Sequence, residues 1–105
     1  MKTISVQDLK AKQDRNDTFQ LIDVREGYEV EICAISGSIH IPMGEVPTRL
    51  DQINKGGDVV VHCRSGKRSA AVVNHLMENG YEQVYNLTGG ILAWAEEVDT
   101  TMEKY

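Results

Sequence analysis

The sequence lacks the features that are typical of proteins stabilised by disulfides or metal ions and of membrane proteins. Two cysteines in 105 residues are too few for a disulfide framework or a structural zinc site. No apolar run approaches the about 20 residues that a membrane-spanning helix needs, and the amino-terminal segment lacks the apolar core of a secretory signal. A net charge of -5 argues against a general surface for nucleic acid or anionic lipid. We therefore expect no nucleic-acid partner, no membrane partner and a reducing, cytoplasmic location.

The remaining composition is that of an ordinary globular domain. Hydrophobic residues make up 41% of the chain and charged residues 26%, and a chain of this length can bury a core without cross-links. The sequence contains no internal repeat, low-complexity segment or linker. Residues 1–105 are therefore predicted to form a single domain, with residues 100–105 as a frayed tail.

Short apolar runs alternate with helical patterns along the chain, which is typical of an α/β domain with a parallel sheet. The predicted strands are residues 4–6, 19–24, 39–41, 58–62 and 84–87. The predicted helices are one capped by Ser5 and Asp8 and ending near residue 13, then residues 26–32, 48–53, a helix from residue 65 or 66 to about 77, and 91–98. The pattern predicts a three-layer α/β/α domain with a mostly parallel five-stranded sheet.

The most informative stretch is residues 59–70. Three valines predict a short buried strand, which delivers Cys63 to a tight turn, and a helical pattern follows at once. The turn carries three cations, Arg64, Lys67 and Arg68. Successive N–H groups of such a turn point inward, and the start of the helix adds partial positive charge. A cysteine in that position is expected to have a lowered pKa and to act as a nucleophile near neutral pH.

The residues after this cysteine are predicted to bind an anion. Cations are disfavoured at the start of a helix, so three of them there favour an anionic ligand. The fork of Arg68 can bind two oxygens of one ligand, so Arg68 is predicted to face the sulfur, while Arg64 and Lys67 steer anions from the rim. The sulfur of Cys63 is expected to be exposed at the floor of the pocket. The candidate substrate-binding residues are Arg64, Ser65, Gly66, Lys67, Arg68 and Ser69.

Several other residues have both a structural and a functional interpretation. Asp23 ends a predicted strand at the edge of the sheet where α/β sites form. Arg25 and Glu29 are spaced as a helical ion pair. Cys33 is interpreted as a buried small residue, with a resolving thiol as the alternative. His62 is interpreted as the end of its strand rather than as a general base.

Four motifs in order resemble those of the rhodanese family of single-domain sulfurtransferases, and the resemblance covers nearly the whole chain. The motifs are residues 21–26 (Leu-Ile-Asp-Val-Arg-Glu), 36–42 (Ser-Gly-Ser-Ile-His-Ile-Pro), 63–69 (Cys-Arg-Ser-Gly-Lys-Arg-Ser) and 87–94 (Leu-Thr-Gly-Gly-Ile-Leu-Ala-Trp). The resemblance implies that Asp23, with Arg25 beside it, supports the active-site loop. The chain departs from the family pattern at residues 33–34, where Cys-Ala stands for Gly-His, and at His40, where asparagine is common.

The resemblance also implies a reaction. Cys63 would take a sulfane sulfur from an anionic donor such as thiosulfate and hold it as a persulfide. A thiophilic acceptor, cyanide or a thiol, would then receive it, and a protein sulfur acceptor is a further candidate partner. Neither a metal nor an organic cofactor is implied.

Two alternatives to this reaction stay open at the level of sequence. A sulfur carrier or regulatory binding module would have the same loop. A phosphatase or arsenate reductase of related fold is disfavoured, because those loops have one more residue between cysteine and arginine. In this chain the arginine is Arg68, and Ser69 occupies the later position.

Overall fold

Five short strands and four α-helices alternate along all 105 residues in the computed structural model of the chain. The strands are β1 (Lys2–Ile4), β2 (Gln20–Asp23), β3 (Ile39–His40), β4 (Val59–His62) and β5 (Val84–Leu87). The helices are α1 (Val6–Asp14), α2 (Gly27–Ile32), α3 (Lys67–Glu78) and α4 (Gly90–Glu97), with 3₁₀ turns at Met43–Thr48 and Leu50–Gln52. None of these helices has the length and apolar character needed to cross a membrane.

The strands form one sheet in the order β1-β5-β4-β2-β3, and every neighbouring pair is parallel. The predicted five-stranded α/β fold is confirmed, and the sheet is entirely rather than mostly parallel. β4 occupies the centre of the sheet, between β5 and β2. Because parallel strands end at the same edge, the loops after β2, β4 and β5 lie together at the carboxyl edge of the sheet.

Two apolar layers cover the faces of the sheet. Val60 belongs to a cluster with residues of α1 and α4, whereas Val59 and Val61 belong to a cluster with residues of α3. This division follows from the alternation of side chains along a strand. All three valines are fully buried, as expected for a central parallel strand covered on both faces. Trp94 of α4 is also buried in the core.

Two predicted elements differ clearly from the structure, the first strand in its extent and one helix in its type. The first strand ends at Ile4 because Ser5 caps α1, its Oγ accepting the N–H of Asp8 at 3.1 Å, so that Val6 begins the helix. The segment predicted as a helix over residues 48–53 forms 3₁₀ turns instead. The N–H groups of Gln52 and Ile53 bond to the carbonyls three residues earlier, which is the 3₁₀ pattern.

The last residues of the chain lie against the domain. Met102 and Tyr105 pack beside the core cluster that contains α1 and α4. Arg25 Nη1 donates a hydrogen bond to the Tyr105 hydroxyl at 2.9 Å. Fraying of residues 100–105 stays a prediction. Tyr105 lies near the carboxyl edge of the sheet, a position that the sequence did not suggest.

Candidate active site

In the turn that follows β4, a backbone N–H group points at the sulfur of Cys63, the first residue of the turn. β4 ends at His62, and α3 begins immediately after Gly66. Gly66 has φ +116°, a conformation that residues with a side chain rarely adopt. This conformation directs the Gly66 N–H at Cys63 Sγ, with a distance of 3.1 Å. The glycine in the loop is therefore required by the backbone path that brings the amides to the thiol.

The start of α4 holds the other side of the same turn. Ile91 N–H donates to the carbonyl of Cys63 at 3.0 Å, and Leu92 N–H donates to the carbonyl of Arg64 at 3.1 Å. A Cβ atom on Gly90 would lie 2.7 Å from the Cys63 carbonyl oxygen, so only glycine permits this approach. The Gly-Gly motif after β5 thus acts by letting α4 contact the backbone of the cysteine loop.

The Cys63 thiol is buried, with 1% of the residue exposed, which corrects the expectation of an exposed sulfur. Burial alone raises the pKa of the Cys63 thiol. The Ser69 hydroxyl and the N–H groups of Ser69, Gly66 and Ser65 outweigh burial, so the pKa lies below its usual value. The lowered pKa is in the predicted direction, and hydrogen bonds from the loop are its largest favourable cause.

Ser69 connects the thiol to β5. Its Oγ lies 3.3 Å from Cys63 Sγ and donates to Asn86 Oδ1 at 2.5 Å. Asn86 Nδ2 donates to the Gly66 carbonyl at 3.1 Å, which fixes the orientation of the amide. The Ser69 hydroxyl has one hydrogen, for which Asn86 and a Cys63 thiolate compete. Sequence reasoning missed Asn86; a polar residue inside an otherwise apolar strand was the available signal.

Replacement of Ser69 by alanine is expected to raise the pKa of Cys63, because one of the donors that favour the thiolate is removed. The measurement is the rate of iodoacetamide alkylation against pH in a Cys33→Ser background, and the midpoint should move upward. Ser65→Ala is the matched control, because the exposed Ser65 side chain makes no hydrogen bond while its N–H remains. An unchanged midpoint in Ser69→Ala would show that the loop amides alone lower the pKa of Cys63.

Two of the three loop cations are bound to groups of the protein. Arg68 Nη1 and Nη2 bind the carboxylate of Glu29 at 2.7 and 2.9 Å, and no hydrogen bond joins Arg68 to the sulfur. Arg64 Nε donates to the main-chain carbonyl of Tyr105 at 2.9 Å. Lys67 is exposed and makes no ion pair. The predicted orientation of Arg68 toward the sulfur is thus replaced by a pairing with an acidic side chain of α2.

Glu29 was expected to pair with Arg25, but in the structure it pairs with Arg68. The Arg68 guanidinium and the Tyr105 hydroxyl lower the pKa of this buried carboxyl to about 2. Its expected partner, Arg25, precedes α2 and therefore does not share a helical face with it. Arg25 instead binds Asp23, with Nη2 2.7 Å from Oδ2 and both side chains fully buried.

The Asp23–Arg25 pair reaches the loop through intermediates. Burial favours the neutral form of Asp23, but the hydrogen bonds from Arg25 dominate and its pKa is lowered. Arg25 Nη1 donates to the Tyr105 hydroxyl, which donates to Glu29 Oε2 at 2.7 Å. His62 ends β4, with Nε2 3.7 Å from Asp23 Oδ2, and burial lowers its pKa. Asp23 and Arg25 are thus linked to the cysteine loop through other side chains and make no hydrogen bond to the sulfur of Cys63.

Cys33 lies outside the loop. It is a free thiol, half-buried, with Sγ 4.0 Å from Arg25 Nη1, and it packs beside the core cluster of α1 and α4. Its carbonyl accepts a hydrogen bond from Arg25 Nη2 at 2.8 Å. These contacts give Cys33 a structural setting, and a role as a resolving thiol is not needed to explain its position.

Comparison with known proteins places this geometry in a family. The family model of the rhodanese-like domain matches residues 5–97. A protein of Allochromatium vinosum named as a sulfurtransferase is 44% identical over 75 residues, which are 71% of this chain and 70% of that protein. The Bacillus subtilis protein YtwF is 40% identical over 97 residues, 92% of this chain and 93% of its own length.

A solved structure agrees with these sequence matches. The crystal structure of a rhodanese-like domain protein from Staphylococcus aureus superposes with a TM-score of 0.87 at 34% identity. The match covers 100% of this chain and 99% of that one. The chain therefore belongs to the rhodanese-like domain family.

Proposed function

We propose that this protein is a sulfurtransferase in which Cys63 carries the transferred sulfur. The observation that carries the proposal is the Cys63 sulfur, held by the amides of its loop and by the Ser69 hydroxyl with a lowered pKa. Membership in the rhodanese-like domain family and a relative named as a sulfurtransferase support a role in sulfur transfer or sulfur carriage. A reducing, cytoplasmic location is part of the proposal, since it would keep Cys63 as a free thiol.

The proposed reaction has two displacements. The Cys63 thiolate attacks the outer sulfur of thiosulfate, the sulfur–sulfur bond of the donor breaks, and sulfite leaves with the bonding electron pair. Cyanide or a thiolate then attacks the outer sulfur of the Cys63 persulfide, and Cys63 leaves as a thiolate. The loop amides favour this step because they stabilise the negative charge that returns to Cys63 Sγ. Atoms and electrons balance without a cofactor.

The exposed cation of the loop is proposed to recruit the donor. Lys67→Gln should raise the KM for thiosulfate about threefold with little change in kcat, which is the size of one partly exposed charge contact. The difference should shrink as salt is added, because surface charges are screened. Lys10→Gln on α1 makes the same change of charge and should leave KM as it was. A KM equally insensitive to both substitutions would exclude Lys67 from donor binding.

A turnover experiment separates the candidate functions. Repeated formation of thiocyanate from thiosulfate and cyanide is the result expected of a sulfurtransferase. Loading of one sulfur that only a protein acceptor removes would favour the sulfur carrier. Hydrolysis of nitrophenyl phosphate without thiocyanate formation would favour the phosphatase alternative, against which the spacing of Cys63 and Arg68 stands.

A further inference from the structure

Tyr105 contacts Arg64, one of the cations of the active-site loop, through a hydrogen bond and a cation–π contact. Arg64 Nε donates to the main-chain carbonyl of Tyr105 at 2.9 Å, and Arg64 Nη2 donates to the same oxygen. The guanidinium carbon of Arg64 also lies 5.1 Å from the centre of the Tyr105 ring, within the range of a cation–π contact. One edge and one face of this guanidinium are therefore in contact with Tyr105.

The position of Tyr105 is set by residues outside the loop. Its hydroxyl accepts from Arg25 Nη1 at 2.9 Å and donates to Glu29 Oε2 at 2.7 Å. Arg25 and Glu29 are buried, and each is further held by an ion pair, with Asp23 and Arg68 respectively. Two fixed partners for one hydroxyl make the contact with Arg64 a consequence of the packing of the domain.

We infer that Tyr105 determines the donor specificity of the proposed sulfur transfer by keeping Arg64 from anionic donors. An anion such as the thiosulfate dianion must displace the main-chain oxygen of Tyr105 to bind Arg64, and the lost contact is subtracted from the affinity of the anion. Arg68 is similarly bound to Glu29, so Lys67 is the loop cation without an internal partner. Donors of lower charge, such as alkyl persulfides, do not need these cations, so the contact between Tyr105 and Arg64 does not lower their affinity. This inference rests on the proposed function.

The test compares two alkylating agents that differ in charge. Iodoacetate and iodoacetamide both react with the Cys63 thiolate, which attacks the methylene carbon as iodide leaves, and only iodoacetate is an anion. In a Cys33→Ser background, Tyr105→Ala should raise the ratio of the iodoacetate rate to the iodoacetamide rate about three- to fivefold. The ratio cancels a general change in the accessibility or the pKa of the thiol.

Further variants assign the effect to Arg64. The rise in the ratio should vanish when Tyr105→Ala is combined with Arg64→Gln, and it should persist with Arg15→Gln, a matched loss of charge beside Asp17 at the end of α1. Tyr105→Phe keeps the ring and the carbonyl but loses the bonds to Arg25 and Glu29, so a smaller rise is expected. If Tyr105→Ala fails to fold by circular dichroism, Tyr105→Phe decides.

Three results would overturn the inference. An unchanged ratio in both Tyr105 variants would mean that Tyr105 does not keep Arg64 from anions, and a lower ratio would mean that it positions Arg64 for them. A rise that survives Arg64→Gln would mean that Arg64 is not involved. Alkylation needs no sulfur transfer, so a protein that never forms thiocyanate can still show the rise. Failure of the inference and failure of the proposed function are therefore distinguishable.

Discussion

Cys63→Ser is expected to lower sulfur transfer from thiosulfate to cyanide by about a thousandfold or more, the loss typical of a missing nucleophile. A serine hydroxyl is barely ionised near neutral pH and cannot hold a sulfane sulfur as a thiolate does. The fold should survive, because the replacement is small and a serine oxygen can still accept the Gly66 N–H that the sulfur accepts now. The measurements are thiocyanate formation and circular dichroism of the purified variant.

Cys33→Ser is the matched control for the nucleophile. Cys33 lies beside Arg25 and outside the loop, so this variant should keep most of the activity. Loss of activity in a folded Cys33→Ser protein would make Cys33 a participant in the reaction. Activity retained in Cys63→Ser would remove the basis of the proposed mechanism.

Gly90→Ala is expected to be among the most destabilising substitutions outside the cysteine loop. Gly90 has φ +59°, and its Cβ would lie 2.7 Å from the Cys63 carbonyl oxygen. A left-handed conformation costs a residue with a side chain about 1–2 kcal/mol, and overpacking adds about 1–3 kcal/mol. We expect the free energy of unfolding in urea to fall by about 2–5 kcal/mol. Sulfur transfer should fall as well, because relief of the contact moves the loop.

Gly37→Ala separates the two costs. Gly37 has φ +85°, and nothing lies within 4 Å of the Cβ that alanine would add. Its free energy of unfolding should therefore fall by about 1–2 kcal/mol, the backbone cost alone, and sulfur transfer should remain. Equal losses in the two variants would show that α4 does not press on the cysteine loop.

Local patterns predicted the parts of the site that depend on consecutive residues. The valines before Cys63 indicated a buried strand, and that strand is the centre of the sheet. The glycine and the helical pattern after it indicated a turn with inward-pointing amides, and the Gly66 N–H contacts the sulfur. These features follow from chain direction and backbone geometry, which a short stretch of sequence determines.

The pairing of the charged side chains could not be predicted in this way. The partner of Arg68 is Glu29, 39 residues earlier, and Glu29 also binds Tyr105, 76 residues later. The fork of Arg68 suits an anionic ligand and a carboxylate equally well, so its geometry did not decide between them. Only the order of the strands brings the loops after β2 and β4 together and places this carboxylate beside Arg68.

The intact mass of the protein after incubation with an equimolar amount of thiosulfate tests the central claim most directly. We expect a gain of one sulfur atom, located on the peptide that contains Cys63, removed by cyanide and absent from Cys63→Ser. No added sulfur, from thiosulfate or from an alkyl persulfide, or a sulfur located on Cys33, would contradict the claim.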